Sequence, residues 1–190
     1  QLTNKFLIIK YEYKSNRSTH VNLTNHSYWN LEKNKKNMIY NHEVKLNSTK
    51  YLQINKNLIP TGRFKNIKKS IYDFSNFENI GKKLDFFKNK KLNTKFKGFD
   101  TTFVVKKNTR NLVGTLKNKN TNIKVDFFSN LPGVQLYSAQ NLNYKKRLFP
   151  YQGICLETQY FPDTPNKKNF PSTLIKPNKR YTCFTKIKIN

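Results

Sequence analysis

The chain has 190 residues, enough for one domain with a hydrophobic core, and its 36% hydrophobic and 14% aromatic content excludes global disorder. The formal net charge of +27 would suit a nucleic-acid partner, but the excess is 32 Lys against only 5 Arg, with 28 Asn alongside. Lys and Asn codons are both A-rich, so a biased genome explains this composition without any such partner. Because the basic residues are also scattered along the chain, we expect no nucleic-acid binding.

The sequence gives no reason to expect a membrane-spanning helix or a secretion signal. It lacks the apolar run of about 18 residues that a spanning helix needs, and residues 1–10 lack the apolar region of a signal peptide. We therefore expect no membrane partner and a cytoplasmic location.

The two cysteines, Cys155 and Cys183, are too few for a disulfide framework, so we expect two buried thiols. Since no Met begins the sequence, we also expect it to be part of a longer protein.

Strand patterns dominate and begin at residues 7–13, where Leu7, Ile9 and Tyr11 alternate with other side chains in a period of two. Further β-rich runs lie at 44–46, 103–105, 112–116, 123–127, 134–137, 154–157 and 181–189. Turns are predicted at 60–62, 132–133 and 177–178, each of which begins with proline. The sequence therefore predicts mainly short strands separated by turns.

Three segments depart from the strand pattern. One short helix is predicted over 77–84, and the Lys- and Asn-rich segment 82–97 is predicted to be a loop. Segment 161–177 contains four prolines, which predicts an extended surface loop because proline lacks the donor that a central strand needs. The long helical crossovers of parallel α/β folds are missing. We therefore predict a single all-β domain over residues 1–190, most simply an antiparallel β-sandwich.

His26 and Glu157 are the two candidates for proton transfer. His26 lies in the polar and aromatic stretch NLTNHSYWNL at 22–31. It is either a packed core histidine or a proton donor beside aromatic rings, since imidazole titrates near neutral pH. Glu157 ends the apolar run at 154–157. It either faces solvent, paired with a lysine, or is partly buried with a raised pKa that makes it a better base.

Asp100 and Gln135 are weaker candidates for contacts to a polar ligand. Asp100 ends the sequence KGFD, which is typical of a turn, and Gln135 is either a solvent-facing strand residue or an amide that binds a hydroxyl group. The sequence contains no Cys/His cluster, G-x-S-x-G motif or phosphate-binding glycine loop. We therefore expect no metal site and no nucleotide site.

Five segments together resemble the aldose 1-epimerase, or galactose mutarotase, family. They are NLTNHSYWNL (22–31), LIPTGRF (58–64), KGFD (97–100), LPGVQLYSAQNL (131–142) and GICLETQYFPDTPNKKNFPSTLIKP (153–177), in the order of the family. The resemblance extends over essentially the whole chain. It implies an antiparallel β-sandwich of the galactose mutarotase type that interconverts α and β anomers of aldohexoses such as galactose and glucose, without cofactor or metal.

The resemblance also implies roles for individual residues. His26 matches the general acid that protonates the ring oxygen, and Glu157 matches the general base that takes the proton of the anomeric hydroxyl. We expect the two groups to face each other across the width of a sugar. Four further residues match or adjoin sugar-binding positions: Ser27, Tyr28, Asp100 and Gln135.

The sequence departs from the family pattern in ways that keep an alternative function open. The family's N-terminal portion, with a second active-site His and an Arg, has no counterpart here. Thr101 stands where the family often has His, and Ala139-Gln140 stands where it often has Gly-Asn. We therefore expect a sandwich that is incomplete at its N-terminus. The alternative to an active epimerase is a catalytically inactive fragment or a sugar-binding remnant of the same fold.

Overall fold

Antiparallel strands form most of the regular structure in the computed structural model, which describes residues 1–88, 96–107, 109–145 and 147–190. The strands are β1 Leu7–Tyr13, β2 Thr19–His20, β3 His42–Leu46, β4 Ser48–Ile54, β5 Pro60–Asn66, β6 Glu78–Asn79, β7 Asp100–Val105, β8 Leu112–Asn118, β9 Ile123–Ser129, β10 Gly133–Tyr137, β11 Cys155–Gln159, β12 Leu174–Ile175 and β13 Tyr181–Ile189. One helix, α1, spans Ile80–Lys88, and 3₁₀ turns lie at Ile39–Asn41 and Thr164–Asn166.

The strands form two main sheets. The larger sheet has the order β1-β13-β9-β8-β3-β6, and the smaller has the order β11-β10-β7-β4-β5. β2 and β12 form a separate two-stranded sheet. Buried residues of the two main sheets share one hydrophobic core, so the sheets pack face to face. The prediction of an all-β antiparallel sandwich is confirmed.

Alternation along the strands builds that core. On β13, Cys183, Thr185 and Ile187 are buried while the residues between them are partly exposed. The inner faces of the two sheets contribute the following fully or nearly fully buried core residues: Val44, Leu116, Val125 and Phe127 from the larger sheet, and Phe103, Val134, Leu136 and Leu156 from the smaller. Both cysteines are free and buried, as predicted.

Two sequence predictions around α1 were wrong in their limits. The helix spans Ile80–Lys88 rather than 77–84, so residues 82–88 do not belong to a loop. Asn79 sets the start, because its Oδ1 accepts the backbone N–H of Lys82 at 2.8 Å, the hydrogen bond of a helix N-cap. Ile80 and Leu84 then fall on one buried face. The remaining loop prediction falls partly on residues 89–95, outside the described residues.

The turn predicted at 60–62 was also wrong. β5 starts at Pro60 and continues through Gly62, whose φ of +88° is one that glycine adopts without strain. The turn lies earlier, where Asn55 N–H donates to Ile59 O at 2.9 Å and Leu58 has a φ of +63°. Proline is tolerated as the first residue of β5 because this strand is at the edge of its sheet.

The proline-rich segment 161–177 is mostly irregular, as predicted, but it is not simply a surface loop. Phe161 and Phe170 are 3% and 6% exposed and form a second buried cluster with Leu52. β12 also pairs with β2, which fastens the end of the segment to residues 19–20. The segment therefore covers part of the outer face of the smaller sheet.

No helix among the described residues has the length and apolar character needed to cross a membrane.

Candidate functional site

The register of three neighbouring strands places the candidate residues in two rows on one face of the smaller sheet. In one row, Gln135 of β10 is opposite both Glu157 of β11 and Thr102 of β7. In the next row, Tyr137 is opposite both Cys155 and Asp100. Residues that lie opposite each other, or two apart on a strand, share a face of the sheet. Leu136 and Leu156, which lie between the two rows on β10 and β11, are in the core, so both rows lie on the outer face.

His26 reaches this face from an irregular segment along the edge of β11. Trp29 exchanges two backbone hydrogen bonds of 2.9 Å with Ile154, just before the strand. At the other end, the Asn22 amide donates to Tyr160 O at 3.1 Å and accepts Tyr160 N–H at 2.9 Å. These contacts occupy an edge that would otherwise present unpaired backbone groups. They also hold His26 over the strand that carries the candidate base.

His26 and Glu157 form the closest contact between the candidate residues. Nε2 of His26 lies 3.4 Å from Oε1 of Glu157, and the two side chains are 50% and 8% exposed. The expectation that a sugar's width separates the two groups was wrong, since they lie side by side. Both line an open cavity of about 380 Å³, whose other walls are formed by Tyr28, Asp100, Gln135, Tyr137, Gln159 and Pro162.

A chain of hydrogen bonds fixes the polar groups opposite this pair. The Thr102 hydroxyl donates to Oε1 of Gln135, and Nε2 of Gln135 donates to Oδ1 of Asp100 at 2.6 Å. The amide orientation of Gln135 is therefore set at both ends. A carboxylate such as that of Asp100 and an amide such as that of Gln135 are the kinds of group that bind sugar hydroxyls.

Aromatic rings surround the imidazole of His26. The Tyr28 ring stacks on it with centroids 4.9 Å apart and planes at 25°. The Tyr137 ring meets it edge-on, at 6.1 Å and 83°. Both tyrosines also line the cavity, so their rings give an apolar surface beside the contact of His26 with Glu157.

Burial raises the pKa of both carboxyl groups in the cavity. For Glu157, burial is the main cause, the negative charge of Asp100 adds to it, and His26 opposes it. For Asp100, burial again raises the pKa, while the hydrogen bond from Gln135 and the charge of His26 oppose it. A carboxylate with a raised pKa is a stronger base, so the site makes Glu157 a better proton acceptor.

Cys155 adds a thiol to this site that the sequence did not lead us to expect. Its Sγ lies 3.5 Å from Nδ1 of His26. Ligand atoms of His26, Cys155 and Glu157 all lie within 4.8 Å of one another, which corrects the expectation that no Cys/His cluster exists. However, the sulfur and the carboxylate contact opposite nitrogens of one imidazole. A single ion would need the ring to turn before it could bind all three.

The structure brings five of the six predicted site residues together, namely His26, Tyr28, Asp100, Gln135 and Glu157. Ser27 does not line the cavity, and its hydroxyl donates to Oδ1 of Asn25 at 2.6 Å. Tyr137 and Gln159 were missed, although each lies two residues after a predicted site residue on the same strand. The period of two along β10 and β11 would have identified both.

A larger cavity of about 660 Å³ lies elsewhere, beside Lys107, Asn130 and Phe161. Its described lining contains no carboxylate and no histidine, so it lacks groups that exchange protons near neutral pH. The smaller cavity is therefore the better candidate for acid–base chemistry.

Comparisons with known proteins show which family and fold this chain resembles. The sequence profile of the aldose 1-epimerase family matches residues 1–188. Galactose mutarotase of Mus musculus is 30% identical over 196 residues, covering 97% of this chain and 54% of that protein. Galactose mutarotase of Homo sapiens is 31% identical over 192 residues, with the same coverages. The chain thus spans about half the length of these relatives.

A solved structure shares the fold. The aldose epimerase homologue from C. elegans superposes with a TM-score of 0.84 at 19% identity, covering 98% of this chain and 56% of that one. The strand topology, the match over residues 1–188 and the similarity to the two mutarotases agree. The chain belongs to the aldose 1-epimerase family.

Proposed function

We propose that this chain is an aldose 1-epimerase that interconverts the α and β anomers of hexoses such as galactose and glucose. The observation that carries the proposal is the contact of 3.4 Å between His26 Nε2 and Glu157 Oε1 at an open cavity. Anomer exchange requires a proton to leave the anomeric hydroxyl while another reaches the ring oxygen. Both oxygens are bonded to the same carbon, so an acid and a base that lie side by side suit this reaction.

In the proposed reaction, the Glu157 carboxylate removes the proton of the anomeric hydroxyl. The protonated imidazole of His26 donates its Nε2 proton to the ring oxygen as the bond from that oxygen to C1 breaks. The open-chain aldehyde then rotates about C1–C2, and the released hydroxyl attacks the other face of C1. During closure, His26 takes back a proton and Glu157 returns one. The pair is thus restored without any cofactor.

The remaining cavity residues would bind the sugar. The Asp100 carboxyl and the Gln135 amide are proposed to bind sugar hydroxyls, because their hydrogen bond fixes both groups at the cavity wall. Tyr28 is proposed to offer its ring to an apolar face of the sugar, since 45% of the residue is exposed. Ser27 was expected in the same binding strip from the resemblance. Its bond to Asn25 supports a role in shaping the segment rather than in binding sugar.

The direct test is polarimetry of freshly dissolved α-D-glucose and α-D-galactose, comparing the chain with Glu157→Gln. We expect the chain to accelerate the change in rotation above the spontaneous rate. Glu157→Gln should lose about 10²–10⁴-fold of this acceleration, the usual value of one acid–base group. Glu12→Gln is the matched control, because Glu12 is an exposed strand acid paired with Lys10. It should leave the rate unchanged.

A folded chain that fails to accelerate either sugar would contradict the proposal. Sugar titrations by calorimetry then separate the two forms of the alternative function. Binding without turnover would identify a sugar-binding remnant, and the absence of binding would identify an inactive fragment. The cytoplasmic location and the lack of a nucleic-acid partner stay predictions.

A further inference from the structure

The Cys155 thiol contacts the candidate acid but takes no part in the reaction proposed above. Cys155 Sγ is 3.5 Å from Nδ1 of His26, and Glu157 Oε1 is 3.4 Å from Nε2 of the same ring. Cys155 and Glu157 are two residues apart on β11, so both side chains leave the same face of the strand. One strand therefore contacts both nitrogens of the imidazole.

The imidazole needs such contacts to keep its orientation. His26 lies on an irregular segment, and its side chain is half exposed. Stacking on Tyr28 fixes the plane of the ring, but it does not distinguish the ring from the same ring turned over by half a turn. That half turn would bring carbon atoms to both polar contacts. Cys155 and Glu157 therefore favour the same one of the two orientations.

A neutral thiol suits both charge states of the imidazole. Burial, followed by the negative charges of Glu157 and Asp100, raises the pKa of Cys155, so the sulfur keeps its hydrogen. When His26 is neutral, the adjacent carboxylate favours a hydrogen on Nε2, which leaves Nδ1 to accept from S–H. When His26 is protonated, Nδ1–H donates to the sulfur. A thiol is both a donor and an acceptor, although a weak one.

We propose that Cys155 is a positioning residue for His26, whose thiol binds Nδ1 in both charge states and so keeps Nε2 directed at Glu157 and the cavity. The purpose of this contact rests on the proposed epimerase function. The contact itself is independent of turnover, so it can be tested even in a chain without activity.

The first test is nuclear magnetic resonance of ¹⁵N-labelled imidazoles, with a chelator present to exclude metal binding. Wild type is compared with Cys155→Ser, which keeps a donor and acceptor, and with Cys155→Val, which keeps volume and strand preference. We expect neutral His26 to carry its hydrogen on Nε2 in wild type and in Cys155→Ser, with Nδ1 shifted by a donor. In Cys155→Val, the Nδ1 resonance should move to the position of an unbonded nitrogen.

His42 is an internal control for these spectra. Its Nδ1 donates to Ile39 O at 3.0 Å, and its Nε2 accepts Leu31 N–H at 2.7 Å, so it has the opposite tautomer. Burial lowers the pKa of His42 to about 4, so it stays neutral at pH 7. Unchanged His42 signals show that a variant is folded. If Cys155→Val does not fold, Cys155→Ala takes its place.

The second test is kinetic. Cys155→Val should lower kcat by about ten- to hundredfold with little change in KM, because the sugar contacts remain while the acid is misdirected. Cys155→Ser should recover most of the loss. An unchanged Nδ1 resonance in Cys155→Val would overturn the inference, as would an unchanged kcat in an active chain. The expected spectra in a chain without mutarotation would support the thiol contact and contradict the proposed function instead.

Discussion

The carboxyl group of Glu157 lies in the middle of β11, a strand whose five residues are all buried. Its ion-pair partner is His26, and the Asp100 carboxyl is close enough to raise its pKa further. A surface carboxylate would be a weaker base, whereas one buried without His26 would have a still higher pKa. The position of Glu157 between His26 and a second acid therefore adjusts its strength as a base.

The pH dependence of kcat/KM should report this raised pKa. The base must be ionised to act, so activity falls as the pH drops through the pKa of Glu157. Because that pKa is raised, the loss should begin at a higher pH than it would for an ordinary glutamate. Asp100→Asn removes one of the raising charges and should move the acid limb of the profile to lower pH. The measurement is mutarotation rate against pH at low sugar concentration.

The control for this shift is Asp85→Asn, which removes the charge of an exposed acid on α1. It should leave the acid limb where it is. Two results would count against Glu157 as the base. One is an acid limb that Asp100→Asn does not move, and the other is an acid limb at the pH of an ordinary carboxyl group.

Strands with a recognisable local sequence pattern could be predicted from the sequence. Strands whose pairing depends on residues far along the chain could not. β1 and β9 alternate clearly, and β13 is rich in Thr, Ile and aromatic residues, so the sequence predicted all three. β4 (STKYLQI) and β5 (PTGRFKN) show no regular alternation of apolar and polar residues, and β5 also contains Pro60 and Gly62. β2, β6 and β12 have two residues each, so their pairing comes from the surrounding fold.

The same distinction applies to the site. Glu157, Gln135 and Asp100 lie on strands or at a strand end, where motif and register bring them together. The contact of His26 with Cys155 was not predictable, because residues 21–28 have no regular structure from which a distance could be inferred. Hydrogen bonds to the edge of β11, not a local pattern, set the position of His26.

At the start of β7, a close approach at Gly98 sets the position of Asp100. A Cβ atom at Gly98 would lie inside van der Waals contact of Ser138 Oγ, which accepts Phe99 N–H at 2.9 Å. Gly98→Ala should therefore lower the free energy of unfolding by about 1–3 kcal/mol, the usual result of a disrupted buried hydrogen bond. Urea unfolding followed by circular dichroism measures this loss.

A double-mutant cycle tests the cause. Ser138→Ala removes the clashing oxygen, so Gly98→Ala should cost less in that background than in wild type. Equal costs in the two backgrounds would mean that the contact with Ser138 is not what requires glycine here.

On the scale of the whole molecule, the dominant feature is a net charge of +27, with 37 basic residues against 10 acids. The acids cannot pair with most of the lysines and arginines, so like charges repel across the surface. The same excess protects the exposed edge strand β5, where Arg63 and Lys65 are exposed and discourage pairing with another chain. Charge thus limits both the stability of the fold and its aggregation.

Salt should therefore stabilise this protein. We expect the Tm to rise as NaCl increases from about 0.02 to 0.5 M, because the Debye length shortens from roughly 20 Å to below 5 Å and repulsion is screened. Differential scanning calorimetry measures the change, and the same series with equal osmolality of sucrose controls for effects unrelated to charge. A Tm that falls with salt would mean that the ion pairs contribute more than the repulsion.

The fastening of residues 22–29 along β11 has a kinetic consequence. Glu157, the proposed base, belongs to a sheet, whereas His26, the proposed acid, belongs to a strip attached along β11 at Asn22, Thr24 and Trp29. We expect this strip to detach locally at a lower free-energy cost than unfolding of the sheets, which would separate His26 from Glu157 and expose the edge of β11. The fraction of molecules able to carry out the proposed reaction would then follow this local equilibrium, so we expect heating to abolish turnover before the sheets unfold.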